Sequence, residues 1–443
     1  MFRVLLCMAL AAVLVSPAGS AAQPPPASRP PVAGRVLTLA EALEIALEGQ
    51  PNIQARLYDY AAARFRVDQS LSPLLPQLAG SVTATRSQNV VFSTVTTSTG
   101  ATATTQFTAD RTFDQTFLAQ VTLSQLLFDF GKTSSSVEAA RKLANVAFED
   151  IELQRQLITL AVKQAYTNIN FAQRLIRVQE QAMARAELNL RSATGFFEVG
   201  TRPKSDVTRA EVDVANARLD LIRARNSQRL ARVALNTALG IAVDTPTQVE
   251  DNLTFEAITL DPPGLRAEAI RQRPESKQAR LQVEVAEAQL RRTQRDFFPD
   301  ISGNASYGGA TTDLLPAWSF TLNFSWSLFD GGNRIGRYRE AKANKEASEA
   351  RVRASDLDIV QQVEQAQLTV TETEERIQAA QVAVTSALEN FRLAQGRFDA
   401  GVGTILELTD AQLALTQAQN TEAQALADFR NALAQLDRAV GRR

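Results

Sequence analysis

The sequence predicts a membrane protein of mixed α/β class, in which long helical hairpins build an α-barrel and strands from several copies complete a transmembrane β-barrel. Three observations support this prediction. An export signal opens the chain, two helices are far longer than those of ordinary globular domains, and one strand alternates strictly between apolar and polar residues while its counterpart does so less cleanly. Two halves of the chain carry these helices and strands in the same order.

The first 22 residues have the pattern of a signal peptide. Arg3 gives a basic start, residues 4–15 form an uncharged apolar run, and residues 20–22 are small, as cleavage requires. Such a run is too short to span a bilayer. Cys7 lies inside the run rather than at its far end, so we interpret it as part of the segment that is removed. Residues 23–36 are rich in proline and are expected to form an extended tether.

Composition excludes several classes of function. The 443 residues contain no histidine, and the one cysteine is Cys7. The mature chain therefore offers no disulfide, no thiolate metal site and no nucleophile–histidine pair, and we expect neither an enzyme nor a cofactor. The 47 basic and 48 acidic residues nearly cancel, which argues against a nucleic-acid partner. Beyond the signal no apolar stretch reaches about 18 residues, so strands must make any membrane crossing.

The chain repeats itself once. Prolines recur at an offset of 223 and glycines at an offset of 201: Pro51 and Pro76 match Pro274 and Pro299, and Gly195, Gly200 and Gly240 match Gly396, Gly401 and Gly441. A register kept over such lengths predicts two structurally equivalent halves. The halves are residues 37–240 and 265–443, and residues 241–264 are interpreted as a linker.

Each half is predicted to contain three helices and two strands. The first helix has about 34 residues, the second about 65 and the third about 37, and a proline ends the first. In the first half the helices are Leu39 to Ser72, 133–197 and 204–239, and the strands are 77–88 and 113–129. In the second half the helices are Leu265 to Phe298, 334–398 and 404–440, and the strands are 300–307 and 317–330.

The long helices predict a tall cylinder. At 1.5 Å per residue, a helix of about 65 residues is roughly 100 Å long. The two shorter helices of each half, placed end to end, would match that length. Small apolar residues are frequent in the long helices, as close packing in coiled coils requires. The helices alone would also fit a structural coiled-coil protein that spans the envelope without a pore.

The strands favour a membrane protein. Between Trp318 and Leu328, apolar side chains occupy one face without exception, and Ser, Thr and Asn occupy the other. A soluble sheet with one wet face alternates in the same way, but the signal peptide and the long helices favour strands that face lipid. The expected lipid-facing aromatic residues are Phe117, Trp318, Phe320, Phe324 and Trp326. The Ser- and Thr-rich segment 88–111 is interpreted as a cell-surface loop.

Four strands per chain require oligomerisation. The open edges of a small sheet would leave backbone groups unpaired in lipid, and the smallest outer-membrane barrels have eight strands. Two, three or four copies would each supply enough strands to close a barrel.

The glycine turns near residues 200 and 401 predict two helical tips. Gly200 and Gly401 suit tight turns, and Ser205 or Thr404 can cap the returning helix. Two interpretations of the acids Asp206, Glu407 and Asp410 remain open. They support helix starts through the helix dipole, or Glu407 and Asp410 point into a pore, where several copies would form negatively charged rings that select cations.

From about residue 37 to its end, the chain resembles the TolC-type outer membrane efflux proteins. The matching features are the two repeats, the strand ends Leu-Phe-Asp-Phe-Gly (127–131) and Leu-Phe-Asp-Gly-Gly (328–332), and the two tips. The resemblance implies a homotrimer with a twelve-stranded barrel in outer-membrane lipid of a Gram-negative bacterium and a helical tunnel in the periplasm. It also implies a passive, gated exit duct that works with a periplasmic adaptor and an inner-membrane transporter, in an efflux pump or a type I secretion system. A permanently open porin is a further alternative.

The resemblance also assigns roles at the tips. In the family, an aromatic hydroxyl and an arginine of the second tip hold an acid and a hydroxyl residue of the first. Ser205 and Asp206 match the accepting pair, whereas Phe398 lacks the hydroxyl and Gly403 replaces the arginine. We therefore expect another group, such as Arg202, to contribute to the latch. The predicted gate residues are Glu407, Asp410, Asp206, Ser205, Phe398 and Arg202, and the candidates for adaptor docking are Gly200, Arg202, Gly401 and Gly403.

Overall fold

The computed structural model describes residues 34–100, 102–258, 261–310 and 315–442. The predicted signal peptide and nearly all of the predicted tether lie outside these ranges. The strands are β1 Val36–Leu37, β2 Gln77–Thr99, β3 Thr102–Phe128, β4 Gln248–Val249, β5 Asp300–Ala310 and β6 Leu315–Ser325. The helices are α1 Leu39–Gly49, α2 Pro51–Leu71, α3 Lys132–Glu198, α4 Lys204–Leu239, α5 Pro262–Gln272, α6 Pro274–Arg295, α7 Asn333–Asp399 and α8 Ile405–Val440.

The long helices α3 and α7 have the same length and the same kind of start. Each contains 67 residues, which corresponds to roughly 100 Å. Asp129 begins α3 by accepting hydrogen bonds from the amides of Gly131 (2.9 Å) and Thr133 (2.6 Å). Asp330 repeats this arrangement before α7. The aspartate of each Leu-Phe-Asp segment is thus the residue that turns the chain from strand into long helix.

The first helix of each half is broken, which corrects the prediction of one helix of about 34 residues. In the first half the break lies between α1 and α2, at Gln50 and Pro51, and in the second half between α5 and α6, at Arg273 and Pro274. Proline disfavours helical geometry at the preceding residue, and Gln50 and Arg273 are extended, with ψ of 120° and 131°. Each proline then begins a new helix, where its missing amide costs nothing.

The predicted linker is built into a small sheet. Strand β1, from the end of the predicted tether, pairs in parallel with β4 from the segment 241–264. Near the middle of α3, the Tyr166 hydroxyl lies 2.9 Å from the Leu37 carbonyl oxygen and 3.0 Å from that of Glu250, to which it donates. Tyr166 is buried, and burial raises its pKa to about 12. The neutral hydroxyl therefore holds the sheet against the long helix.

We expect Tyr166→Phe to destabilise this region by about 1 kcal/mol, because the hydroxyl no longer donates to the carbonyl oxygens of Leu37 and Glu250. Each oxygen keeps one other donor, the Glu250 amide and the Asn170 side chain respectively. The change should lower the melting temperature of the purified protein by a few degrees and speed amide exchange at Glu250, whose N–H donates to Leu37. Tyr58→Phe is the matched control, since Tyr58 is exposed. Equal exchange rates in wild type and Tyr166→Phe would contradict the assignment.

Strands β2, β3, β5 and β6 form one antiparallel sheet in that order. The register aligns the alternating residues of all four strands, so one row across the sheet contains Gly80, Val121, Tyr307 and Trp318, and the next contains Leu78, Leu123, Ala305 and Phe320. Ser, Thr, Asn and Gln dominate the opposite face. The apolar side chains are exposed, Trp318 by 78% and Phe320 by 70%. One face of the sheet is thus an apolar surface that the described part of the chain leaves uncovered.

Strands β2 and β3 are longer than expected, which corrects the interpretation of residues 88–111 as a loop. The two strands pair without interruption from Gln77 opposite Ser124 to Thr99 opposite Thr102, and Gly100 turns the chain with φ of +70°. The Ser- and Thr-rich composition suggested a loop, but Thr and Val are β-branched and favour strands. Strand β6, in contrast, ends at Ser325 rather than at residue 330, and the indole N–H of Trp326 donates to the Phe297 carbonyl oxygen (3.1 Å).

The helices pack into two similar bundles. In the first half, α1 and α4 pack on α3, with buried Val162, Ile169 and Leu239 between them. In the second half, α5 and α8 pack on α7 around buried Val363 and Phe429. Helix α3 also contacts α6 and α8, which joins the halves. Within the described ranges, the helices lack the combination of length and hydropathy that a bilayer-spanning helix needs.

The helical tips as candidate functional site

Two short turns form the tips of the helical part. Residues 199–203 join α3 to α4, and residues 400–404 join α7 to α8. Gly200 and Gly401 have φ of +77° and +75°, and the backbone amides after each helix donate back to its last turn, as Thr201 does to Phe196 (2.9 Å) and Val402 to Arg397 (3.0 Å). A side chain is disfavoured at such φ values. The turn geometry therefore requires both glycines.

The two returning helices begin differently. Thr404 caps α8: its hydroxyl accepts from the Glu407 amide (3.2 Å), and the Glu407 carboxylate accepts from the Thr404 amide. Helix α4 has Pro203 at its cap position, without a side-chain cap. The expectation that Ser205 caps α4 is therefore wrong. Ser205 already lies within the helix and is exposed, because proline's fixed φ starts the helix two residues earlier.

Phe398 is buried completely within one chain, which corrects its assignment to a pore constriction. It packs edge-on against Phe196 of α3, with 5.7 Å between ring centroids, and against Ile405 and Leu408 of α8. A side chain without exposed surface cannot line a lumen. Phe398 instead belongs to a small hydrophobic core that holds the two tips together.

Arg202 connects the two tips. Its Nη2 donates to the carbonyl oxygen of Gly403 at 2.6 Å, and its guanidinium carbon lies 5.0 Å from the centroid of the Phe398 ring. Nη1 lies 3.8 Å from Oδ2 of Asp206. The side chains of Arg202 and Asp206 are only 16% and 15% exposed. The structure thus places Arg202, whose contribution to a latch was expected from the sequence, across the gap between the first and the second tip.

Gly403 has no room for a side chain. A Cβ atom there would lie 2.9 Å from the Cβ of Arg397 and 2.9 Å from the backbone nitrogen of Phe398. The Gly403 amide also donates to the Arg397 carbonyl oxygen at 2.8 Å, which holds the turn tight. An arginine at this position would force the turn to shift. The guanidinium group at this junction therefore comes from Arg202, on the opposite tip.

The acids of the second tip differ in their partners. Glu407 takes part in the cap of α8 and lies 3.5 Å from Nε of Arg397. Asp410 is exposed one helical turn later, and it has no ion-pair or hydrogen-bond partner among the side chains that the structure describes. Glu407 therefore stabilises the start of α8. Asp410 makes no comparable contact among the described residues.

Two links between the hairpins were missed by the sequence reasoning. The Thr409 hydroxyl of α8 donates to Oδ2 of Asp213 of α4 at 3.0 Å, and the Asn189 amide of α3 donates to Oε1 of Gln412 of α8 at 2.7 Å. Single polar residues on long polar helices give no sequence signal that would single these out. Both links join the same two hairpins as the contact between Arg202 and Gly403 does.

Comparison with known proteins identifies the family. Residues 42–241 and 265–442 match the family model described as outer membrane efflux protein. The chain is 27% identical over 414 residues to the alkaline protease secretion protein AprF of Pseudomonas aeruginosa, which covers 90% of this chain and 83% of AprF. It is 28% identical over 215 residues to the solvent efflux pump outer membrane protein SrpC of Pseudomonas putida, and this match covers 47% of this chain and 46% of SrpC. The CmeC outer membrane channel of Campylobacter jejuni has the same fold, with a TM-score of 0.74 and 17% identity. The match covers 91% of this chain and 85% of CmeC.

These relatives are transport proteins rather than enzymes, in agreement with the composition. The family match extends over nearly all of the two halves and leaves out the predicted linker. The predicted location in the outer membrane and the predicted role in efflux or secretion are both confirmed, and the chain belongs to the outer membrane efflux protein family.

Proposed function

We propose that three copies of this chain form a passive, gated exit duct in the outer membrane, and that this duct serves an efflux pump or a type I secretion system. The observation that carries the proposal is the uncovered apolar face of a four-stranded sheet, joined to helices of roughly 100 Å. A sheet of this kind is suited to lipid on one side and water on the other. The helices have the length to reach deep into the periplasm.

Closure of the sheet supports an oligomer. Strands β2 and β6 are the edges, and their free backbone groups need partners in lipid. Pairing β6 of one copy with β2 of the next satisfies both edges, and three copies give twelve strands. The two halves, with helices of 67 and 36 residues in each, act as repeats of one unit. Three copies then surround a lumen with six long hairpins.

The inward face of the sheet is polar, and its charged positions include Asp110 and Asp300. One row across it contains Thr122, Ser306 and Ser319, and the hydroxyls of the two serines lie 2.8 Å apart. Such a surface binds few solutes strongly, so the duct contributes little selectivity. Selection of cargo and the supply of energy therefore fall to an inner-membrane transporter and a periplasmic adaptor. The adaptor docks at the tips, where Val199 and Val402 beside Gly200 and Gly401 are about 70% exposed.

Asp410 supplies the negatively charged ring at the closed tip. It is exposed, it lies in the first turns of α8, and its carboxylate has no ion-pair or hydrogen-bond partner among the described residues. Three such carboxylates around one axis would favour cations and bind multivalent ones. Glu407 lies one turn away and adds less charge to this ring, because its carboxylate is shared with the cap of α8 and with Arg397.

We expect purified protein to have the mass of a trimer and to give a small, cation-selective conductance in planar bilayers. Asp410→Asn should at least halve the cation-to-anion permeability ratio and weaken block by trivalent cations, while the melting temperature stays unchanged. Glu198→Gln is the matched control, because Glu198 is exposed at the first tip and its removal keeps the Asp410 ring.

The alternatives predict other results. A large, steady conductance that Asp410→Asn leaves unchanged would favour a permanently open porin. A folded oligomer that never conducts, even when Arg202→Ala removes the contact between the two tips, would favour a structural protein that spans the envelope without a pore.

A further inference from the structure

The long hairpin of β2 and β3 carries two arginines on the apolar face of the sheet. The register places Arg86 opposite Gln115 and Arg111 opposite Val90, in the same alternation as Leu78 and Val121. The paired positions of this face from Arg86 to the hairpin turn contain no acidic residue, whereas Asp110 belongs to the other face. Two positive charges thus continue the lipid-facing side of the sheet.

The place of Arg86 along β2 matches the outer edge of the lipid layer. A transmembrane strand needs about nine to eleven residues, and Arg86 is the tenth residue of β2, which begins at Gln77. Arg111 pairs with Val90, four residues further along, which adds about 13 Å along the strand. The two guanidinium groups therefore lie where the headgroups of the outer leaflet are expected and just above them.

Aromatic rings surround these charges. Phe92, Phe107 and Phe113 belong to the same face and are exposed by 76%, 79% and 62%. The guanidinium carbon of Arg86 lies 5.5 Å from the centroid of the Phe113 ring, which restricts its orientation. The opposite face of the β2–β3 hairpin is mostly polar, and the hydroxyls of Ser93 and Thr108 on it are hydrogen-bonded at 2.9 Å. Exposed aromatics and free cations on one face suit a ligand that is both apolar and anionic.

We propose that this outward face, formed by Arg86, Arg111, Phe92, Phe107 and Phe113, binds the phosphorylated glycolipid of the outer leaflet. Guanidinium groups bind phosphate through two parallel hydrogen bonds, and the phenylalanine rings cover the apolar part of the lipid beside it. The bound lipid then holds the β2–β3 hairpin at the membrane surface. This inference rests on the proposed barrel, because it takes the apolar face as the outer one.

The test uses the double variant Arg86→Gln, Arg111→Gln and fluorescent lipid A that carries two phosphates. We expect the variant oligomer in detergent to bind this lipid about 25-fold more weakly, since each arginine near an anionic headgroup contributes about fivefold. Wild type should bind the dephosphorylated lipid as weakly as the variant does. The variant Arg64→Gln, Arg66→Gln removes two exposed charges from α2 and should bind lipid A like wild type.

The possible outcomes separate this inference from the proposed function. Equal affinity of wild type and the double variant, with both conducting in bilayers, overturns the inference and leaves the duct intact. Displacement of lipid A by millimolar inorganic phosphate overturns the lipid as the occupant. If wild type fails to insert into bilayers at all, the proposed function fails, and the inference fails with it.

Discussion

Replacing Arg202 with alanine should raise the open probability of the channel at least tenfold. The side chain ties the two tips through a 2.6 Å hydrogen bond to Gly403 and through its position above the ring of Phe398. A hydrogen bond from a charged group contributes about 1.5–3 kcal/mol, and a cation–π contact adds about 0.5–1 kcal/mol. In the proposed gate, opening separates the two tips, so most of this energy is lost in the open state and removal of the side chain favours opening.

Single-channel recording of the purified oligomer in planar bilayers measures this effect. Arg202→Lys keeps the charge but loses the planar donor group, so its open probability should lie between those of wild type and Arg202→Ala. Arg209→Ala is the matched control, because Arg209 is exposed on α4 just after the turn and makes no ion pair among the described side chains. An open probability of Arg202→Ala equal to that of Arg209→Ala, with both proteins folded, would remove Arg202 from the gate.

The sequence predicts the contact between Arg202 and the second tip only in outline. Position 403 shows that the family's arginine is absent, and Arg202 is the nearby cation that remains. The contact itself joins residues that are 201 positions apart, and it depends on how closely two turns approach each other. Local pattern carries no information about that distance. The same holds for Phe398, whose burial between α3 and α8 could not be seen from its place in the second tip.

The elements were predictable where one local signal dominates. The long helices are rich in good helix formers and contain no proline, so α3 and α7 begin and end within one residue of the expected bounds. Where two signals compete, the prediction was wrong. Pro51 lies within an otherwise helical pattern, and the sequence does not say whether it kinks a helix or starts a new one. Residues 88–111 combine the polarity of a loop with the β-branched side chains of a strand, and pairing across the hairpin decides for the strand.

The break at Pro274 positions a buried ion pair, and its disruption should give the largest loss of stability. Arg273 is 2% exposed. Its guanidinium group donates to both carboxylate oxygens of Glu275, at 2.6 and 3.2 Å, and to Oε1 of Gln362 at 2.7 Å. The extended backbone of Arg273 between α5 and α6 turns its side chain toward α7. The hydrogen bond to Gln362 therefore connects the broken helix to the long one, and the ion pair with Glu275 fixes the guanidinium group at the break.

We expect Arg273→Met to destabilise the protein by about 3 kcal/mol. Methionine keeps much of the apolar stem, but Glu275 loses its main partner, and breaking a buried pair costs about 3–5 kcal/mol. We take the lower end because Arg438 remains 3.5 Å from Glu275 and because a quarter of the Glu275 side chain is exposed. The melting temperature should fall by about 5 °C or more. Arg271 is exposed and lies two residues away, so Arg271→Met should leave the melting temperature unchanged.

The pH dependence separates the ion pair from simple loss of packing. Burial alone would raise the pKa of Glu275, but the hydrogen bonds and the charge of Arg273 hold that pKa below its usual value of 4.5. Because the pKa of Glu275 is lower in the folded protein than in the unfolded chain, the ion pair stabilises the folded state fully at pH values above the pKa of the unfolded chain. This stabilisation is lost as the pH falls through the lower pKa of the folded protein. The difference in melting temperature between wild type and Arg273→Met should therefore be largest near pH 7 and shrink below about pH 4.5. Adding Glu275→Gln to Arg273→Met should recover part of the loss at neutral pH, since the carboxylate that lost its main partner is then removed. The recovery is incomplete because Arg438 loses its contact with Glu275. A difference that stays constant from pH 7 to pH 4 would assign the effect to packing instead.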